Sequence, residues 1–313
     1  MRRIAMVMDL GGTKIKLGLV QHDELICVTK IDAHSQNGLR EKLPVIENVM
    51  NEMLERCGIG VNEVAGIGIS IPGIVDSKQK RILSIDNKFN DAPEMDLNVW
   101  VQETWQTSLA IENDARAALI GEWQYGKGKG YNDVVLMTIG TGVGSSAVIE
   151  GKILRGKHFQ AGCLGGHFTI NIKGQKCNCG NFGCVEVEAS TWNIERIAKN
   201  AESYAQSSLQ QERKLDFETI FRCANEGDGL AKQLRDECLD AWSAAAVNLI
   251  HAYDPEILIV GGGVMGSADY IIPYMQQKTD EHAWTPWGKV KICAADNINT
   301  AALLGAAYLV FNQ

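Results

Sequence analysis

The chain has no excess of positive charge. Its 313 residues carry 30 lysines and arginines against 38 aspartates and glutamates, a formal net charge of −8. Nothing therefore draws it in general to a phosphate backbone or an anionic lipid surface, and neither nucleic acid nor membrane is expected as a partner. Long hydrophobic runs are missing too: the apolar stretch after Arg2-Arg3 breaks at Asp9, far too short for a signal peptide or a membrane span. Cysteine, with nine in 313 residues, is too sparse for a disulfide-stapled secreted scaffold. These absences together predict a cytoplasmic protein, without low-complexity tails or long linkers.

What is there is an ordinary globular composition, 45% apolar and 22% charged, in a chain long enough for two cores. Ile4–Met8 is apolar and β-compatible, turns through Asp9-Leu10-Gly11-Gly12-Thr13-Lys14 and resumes as a second strand over Ile15–Val20. Helical spacing runs from Leu39 to Cys57, and Ala65–Ile71 reads as a strand ending in Pro72-Gly73. A short strand over Leu109–Glu112 runs into Asn113-Asp114, followed by an Ala-rich helix over Ala115–Trp123. Asp133–Ile139 is a further strand, opening into Gly140-Thr141-Gly142-Val143-Gly144. That repeats the strand, Gly/Thr tip, strand order of the N-terminus and suggests a duplicated unit. Ile257–Val260 is a buried strand ending at Gly261-Gly262-Gly263, and the last helix covers roughly Thr300–Leu309.

Glycine at a strand end lets backbone approach a ligand and aim its N–H groups at phosphate oxygens, and a threonine hydroxyl adds a donor. One such tip is usually a plain turn; three together point to a nucleotide. None has the Gly, four residues, Gly-Lys-Ser/Thr spacing of a P-loop, and Gly261-Gly262-Gly263 lacks the dinucleotide fingerprint. Three of the cysteines, Cys177, Cys179 and Cys184, fall within eight positions, which favours a metal; others such as Cys57, Cys223 and Cys238 read as small buried hydrophobes in helices.

The chain resembles the actin-like ATPase superfamily and, within it, the ROK family of repressors and sugar kinases, nearly end to end. The likeness is carried by Asp9–Lys14, Ile71-Pro-Gly73, Glu112-Asn-Asp-Ala115, Gly140–Gly144, His167–Glu186 and Pro255–Val264. It implies an α/β, ribonuclease H-like fold with two domains around a central cleft: a small domain of residues 1–113 plus about 300–313, and a large one of 114–299 with a zinc loop at 167–186. It implies ATP and Mg²⁺, with the nucleotide phosphates at Asp9, Gly11, Gly12, Thr13 and Lys14 and at Gly140, Thr141, Gly142 and Gly144, and the adenosine near Gly261, Gly262 and Gly263. Lys14 either pairs with phosphate or is a solvated hairpin lysine. His167 with Cys177, Cys179 and Cys184 makes a closed set of one imidazole and three thiolates, as for structural zinc, with glycines 180 and 183 permitting the turn.

Phosphoryl transfer to a hydroxyl needs a group that orients and deprotonates the attacking oxygen, and Asp114 is the candidate. Its other reading is a helix cap. Asn113 can both donate to and accept from a sugar hydroxyl. The resemblance adds His167, Glu186, Gly73 and Asn87 as sugar contacts and a homodimer or homotetramer as the assembly. The expected activity is thus an ATP-dependent kinase of a hexose or N-acetylhexosamine. A repressor would need a helix-turn-helix head ahead of the strand at Ile4. One departure matters: three residues before His167, family kinases carry a glutamate that contacts sugar hydroxyls, and this chain has Leu164. Losing that acceptor leaves a hydroxyl unpaired, and predicts an altered sugar or a degenerate protein that senses sugar without turnover. Arg116, where the family has a small polar residue, either reaches toward the pocket or lies on the surface.

Overall fold

The computed structural model describes residues 3–313. Contacts divide the chain into two compact units, one of residues up to Gly130 with Arg155–Ala161 and Asn299–Gln313, the other of Tyr131–Leu154 and Gly162–Ile298.

In the first unit β1 (Ile4–Leu10), β2 (Lys14–Gln21), β3 (Glu24–Asp32) and β4 (Val64–Ile71) precede a small antiparallel pair, β5 (Ile74–Asp76) and β6 (Arg81–Ser84), and then β7 (Leu109–Asn113). The main sheet has the order β3-β2-β1-β4-β7, with β1–β2–β3 antiparallel and β1, β4 and β7 parallel. β1 is apolar on both faces because both are covered. Ile4, Met6, Met8 and Leu10 pack with Ile46, Met50 and Met53 of α1 (Leu43–Cys57), while Ala5 and Val7 join a second cluster on the opposite face. α1 starts later than the helical spacing that begins at Leu39, because Asp91 accepts from the N–H groups of Leu39 and Arg40 and holds them in a short 3₁₀ turn. α2 (Leu97–Trp105) is capped by Asp96, and α3 (Asp114–Tyr125) begins where β7 ends.

The second unit repeats the plan. β8 (Val134–Ile139), β9 (Val143–Ile149), β10 (Lys152–Ile153), β11 (Ile257–Gly261) and β12 (Lys291–Ala294) lie in the order β10-β9-β8-β11-β12, with β8, β11 and β12 parallel and β8–β9–β10 antiparallel. The duplicated strand, glycine tip, strand pattern thus appears as two sheets of one topology. Between β10 and β12 come α4 (Val185–Glu188), α5 (Thr191–Asn200), α6 (Phe217–Asn225), α7 (Gly229–Tyr253) and α8 (Ala268–His282). Trp242 of α7 is fully buried, edge-on to Phe217, with its indole N–H donated to the Ala189 carbonyl. Cys223 and Cys238 are buried as small hydrophobes; Cys57 is half-buried, its sulfur 3.6 Å from that of Cys27. No helix among the described residues is long and apolar enough to cross a membrane.

The chain ends in α9 (Ala301–Phe311), which covers the Ala5/Val7 face of the first sheet. α3, expected with the large domain, groups with the first unit because it packs on α9 almost backbone to backbone. Gly121 faces the Ala301 carbonyl and Gly305 the Ala117 carbonyl, each closer than any side chain would allow. Gly305→Ala is expected to force the helices apart and lower stability by about 1–3 kcal/mol, read as a lower midpoint in urea unfolding at unchanged slope.

Candidate functional site

Candidate residues occur in both units. In the first, β7 ends at Asn113, the N-cap of α3: its Oδ1 accepts from the Arg116 N–H at 3.2 Å. Its Nδ2 donates to the Gly73 carbonyl at 2.9 Å and to Asp114 Oδ1 at 3.0 Å. Asn113 therefore does the capping, and Asp114, the first helical residue, is free of it. Asp114 also accepts from the Ala115 N–H at 2.8 Å. Burial raises its pKa and the charge of Asp9 adds to the rise, against the opposing pull of Lys88 and of the hydrogen bonds from Ala115 and Asn113. A carboxylate pushed above its usual range suits a general base.

Asp9 sits at the end of β1, paired in register with Ser70 of β4, whose hydroxyl donates to it at 3.0 Å. Lys16, two residues past the glycine tip, approaches the other oxygen of Asp9 to 3.3 Å. Lys14 does not: its ammonium is 2.6 Å from Asp32 on the exposed side of the hairpin, which holds the Asp32 carboxyl below its ordinary range. Of the two readings of Lys14, phosphate contact or solvated hairpin lysine, the structure has it on Asp32: β1 pairing ends at Leu10–Ile15, so Lys14 lies beyond it, opposite Asp32 of β3, while Lys16 lies across from Asp9. The tip itself is held by Ser35, whose hydroxyl donates to the Gly12 carbonyl at 2.7 Å, and by the Ala33 N–H on the Thr13 carbonyl. Gly73 has φ +98°, and a side chain there would run into the Ser84 carbonyl. Asn87 is exposed, its amide 2.7 Å from Asp86.

Arg116 is neither at a pocket nor on the surface. It is fully buried, 3.5 Å from Glu112, and donates to the carbonyls of Phe159 and Ala161. Glu112, also fully buried, meets Arg155 at 2.8 Å and accepts from the Asn113 N–H at 2.9 Å. This pair of guanidiniums on one carboxylate ties Arg155–Ala161 to the first unit directly behind Asn113.

In the second unit, the tip between β8 and β9 is clamped from three sides. The Thr191 and Trp192 N–H groups, at the start of α5, donate to the carbonyls of Gly140 and Thr141. Glu186 accepts from the Val143 N–H at 3.0 Å and lies against Gly142, where an added Cβ would come within 2.5 Å of its carboxylate. Gly144 is the second residue of β9, paired with Thr138. Gly262 has φ +95° and touches the Ile139 backbone. Gly263, Val264, Gly266 and Ser267 with Phe221 and Arg222 of α6 line a cavity of about 630 Å³, ample for a nucleoside.

His167, Cys177, Cys179 and Cys184 offer ligand atoms that all lie within 4.8 Å of one another. The Cys179 and Cys184 sulfurs are 3.7 Å apart, as are the Cys177 sulfur and His167 Nδ1, and a tetrahedral ion with Zn–S bonds of ~2.3 Å needs sulfurs about 3.8 Å apart. Gly180 and Gly183 have φ of +91° and +59°, and the Asn171 carbonyl fills the place of any side chain at Gly183. Burial and the neighbouring thiols push the Cys184 thiol up to about 12 and raise that of Cys177, a penalty that a bound cation would reverse. The donor set therefore fits a tetrahedral divalent metal. Leu164 is 39% exposed, on a segment pinned by Ser145, whose hydroxyl donates to the Gly162 carbonyl and accepts from the Gly165 N–H.

A profile of the ROK family matches residues 5–313. The chain belongs to the ROK family. It is 31% identical to the glucokinase of Thermotoga maritima over 310 residues, covering 96% of this chain and 95% of that one. It is 28% identical to the xylose repressor of Bacillus subtilis over 71% of this chain and 54% of the repressor. A ROK family glucokinase from Streptomyces griseus, solved with glucose and AMPPNP, superposes with a TM-score of 0.80 at 27% identity, over 99% of this chain and 100% of that one. The actin-like ATPase fold expected from the motifs is the fold of this ROK chain.

Sequence reasoning on the ROK chain missed Lys16, Ser35, Lys88, Arg155 and the α5 N-terminus. Only Lys16 carried a signal, since a hairpin pairing Leu10 with Ile15 places it across from Asp9. The raised pKa of Asp114 has a stability consequence. Its folded value lies above the unfolded one, so the unfolded chain gives up the proton more readily and ionised Asp114 weakens the fold above that range. Asp114→Asn keeps an acceptor for the Ala115 N–H and is expected to raise Tm by a few degrees at about pH 8. The gain should vanish below the ordinary carboxylate pKa of 3.8. Equal melting temperatures at both ends of a pH series would refute the buried-charge reading.

Proposed function

We propose that this ROK protein is an ATP-dependent sugar kinase acting on a hexose or N-acetylhexosamine, with Asp114 as general base. The observation that carries the reading is the Asn113-Asp114 junction: one amide caps α3, orients the carboxylate and leaves it uncapped, half-buried and raised in pKa. The sugar hydroxyl gives its proton to Asp114 as its oxygen attacks the γ-phosphorus in line; the new O–P bond forms as the bond to the bridging oxygen of ADP breaks. Asn113, Gly73 and Asn87 in the first unit, and His167 and Glu186 in the second, are the candidate sugar contacts. The two glycine tips, Asp9–Lys14 and Gly140–Gly144, would cradle the phosphates, and Gly261–Gly263 with α6 would hold the adenosine. Mg²⁺ bound near Asp9 would supply charge compensation to the triphosphate.

The direct test is ADP release with MgATP across hexoses, ketohexoses and amino sugars. Sugar-dependent turnover is expected, and Asp114→Asn should reduce it by about 10²–10⁴-fold. A folded, metal-replete protein that turns over none of these sugars would instead favour the sugar-sensing reading, which rests on Leu164 standing exposed where the family kinases carry a glutamate.

We further propose that His167, Cys177, Cys179 and Cys184 hold a structural zinc ion that fixes the loop leading into Glu186. All four protein ligands fill a tetrahedral shell, so the ion has no open position for chemistry. Purified protein should contain about one zinc per chain, lost in Cys184→Ser, and a chelator should lower Tm. Metal-free protein with an unchanged Tm would overturn the assignment.

A further inference from the structure

Lys88 belongs to no motif, yet its position is fixed from four directions. It lies on the turn after β6, between Asn87 and Phe89, both of which have positive φ, +59° and +47°. L-residues adopt that conformation only where surroundings impose it. Phe89 is fully buried and its N–H donates to the Ser35 carbonyl at 2.8 Å; the Asn87 carbonyl accepts from Gln36 at 2.9 Å. The same Ser35 donates its hydroxyl to the Gly12 carbonyl. One residue thus joins the Lys88 turn to the first glycine tip.

The result is that the Lys88 stem lies across Gly12. A Cβ on Gly12 would come within 2.8 Å of both Cδ and Cε. The methylenes occupy the space a side chain at position 12 would need. The Asp114 carboxyl feels the Lys88 charge. No salt bridge within 4 Å ties up that ammonium among the described residues. A cation therefore stands with its stem on the first glycine tip and close enough to Asp114 for its charge to act on that carboxyl.

We infer that Lys88 is a catalytic residue whose ammonium contacts the terminal phosphate of the nucleoside triphosphate and takes up charge on its oxygens during transfer. The inference rests on the kinase reading. A flexible, strongly hydrated ammonium serves this role as a point charge, and its contact with the terminal phosphate makes it blind to the diphosphate product.

Lys88→Met keeps the stem on Gly12 and removes the charge. It is expected to lower kcat by roughly 10²–10³-fold, with little change in the sugar KM, an unchanged Tm and partial recovery in Lys88→Arg. The acid limb of kcat/KM should also move to higher pH. Of the groups acting on Asp114, Lys88, the Ala115 N–H and the Asn113 amide favour the ionised form, while burial and Asp9 oppose it. Turnover within tenfold of wild type with an unmoved limb would overturn the assignment. Should wild type turn over no sugar, the kinase reading fails by itself, and calorimetric binding of a non-hydrolysable MgATP analogue against MgADP decides on Lys88. Selective loss of triphosphate affinity in Lys88→Met supports the contact; equal affinities in variant and wild type refute it.

Discussion

Three separate parts of the first unit depend on one side-chain amide. Asn113 accepts the Arg116 N–H to start α3, donates to Gly73 to fasten the turn after β4, and donates to Asp114. An aspartate there could cap but could not donate, so the Gly73 carbonyl and the Asp114 carboxylate would face an anionic oxygen in place of a donor. A serine could cap but lacks the reach and the two donors. Because the three bonds share one planar group, the turn, the helix axis and the carboxylate move together. The buried Glu112 accepts the Asn113 N–H and so fixes the same residue through its backbone.

The glycines of the two tips are required by what lies against them as much as by the turns. Gly12 admits the Lys88 stem and Gly142 admits the Glu186 carboxylate, while Gly262 admits the Ile139 backbone. In each tip a neighbouring element also takes the backbone carbonyls: Ser35 for the first, the start of α5 for the second. Part of the N–H set is engaged as well, Gly11 and Gly140 by the Asp9 and Gly142 carbonyls and Val143 by Glu186, so the set that could face an anion is smaller than the tips themselves. Both halves of the duplicated fold reach this result with unrelated residues, so what the duplication preserved is the backbone path.

That division also explains what was legible in the sequence. The strands, the two Gly/Thr tips, the strand-to-helix junction at Asn113-Asp114 and the Cys/His cluster are local patterns, and each appears where its residues predict. The domain to which α3 belongs was not legible, because it is decided by Gly121 and Gly305, 184 positions apart and silent except as a helix contact. Lys14 was open between a phosphate contact and a solvated hairpin lysine, and the hairpin register, which sets Lys16 across from Asp9 and Lys14 across from Asp32, decides between them. Arg116 was ambiguous because its partners, Phe159 and Ala161, come from a segment 43 to 45 residues away. Glu186 was expected as a sugar contact from the family resemblance; its bond to the Val143 N–H requires the tertiary fold.

Two carboxylates two positions apart make the same point in electrostatic terms. Glu112 faces two guanidiniums and a backbone N–H, an arrangement that fully compensates a buried anion and makes it a structural anchor. Among the described residues Asp114 receives two hydrogen bonds and the pull of Lys88, and these do not offset burial and the charge of Asp9, so its charge is left under-compensated. The strand-to-helix junction is what separates them: the last strand residues point Glu112 into the first unit, and the helix start turns Asp114 away from both arginines. Neighbouring groups with opposed environments take opposed roles.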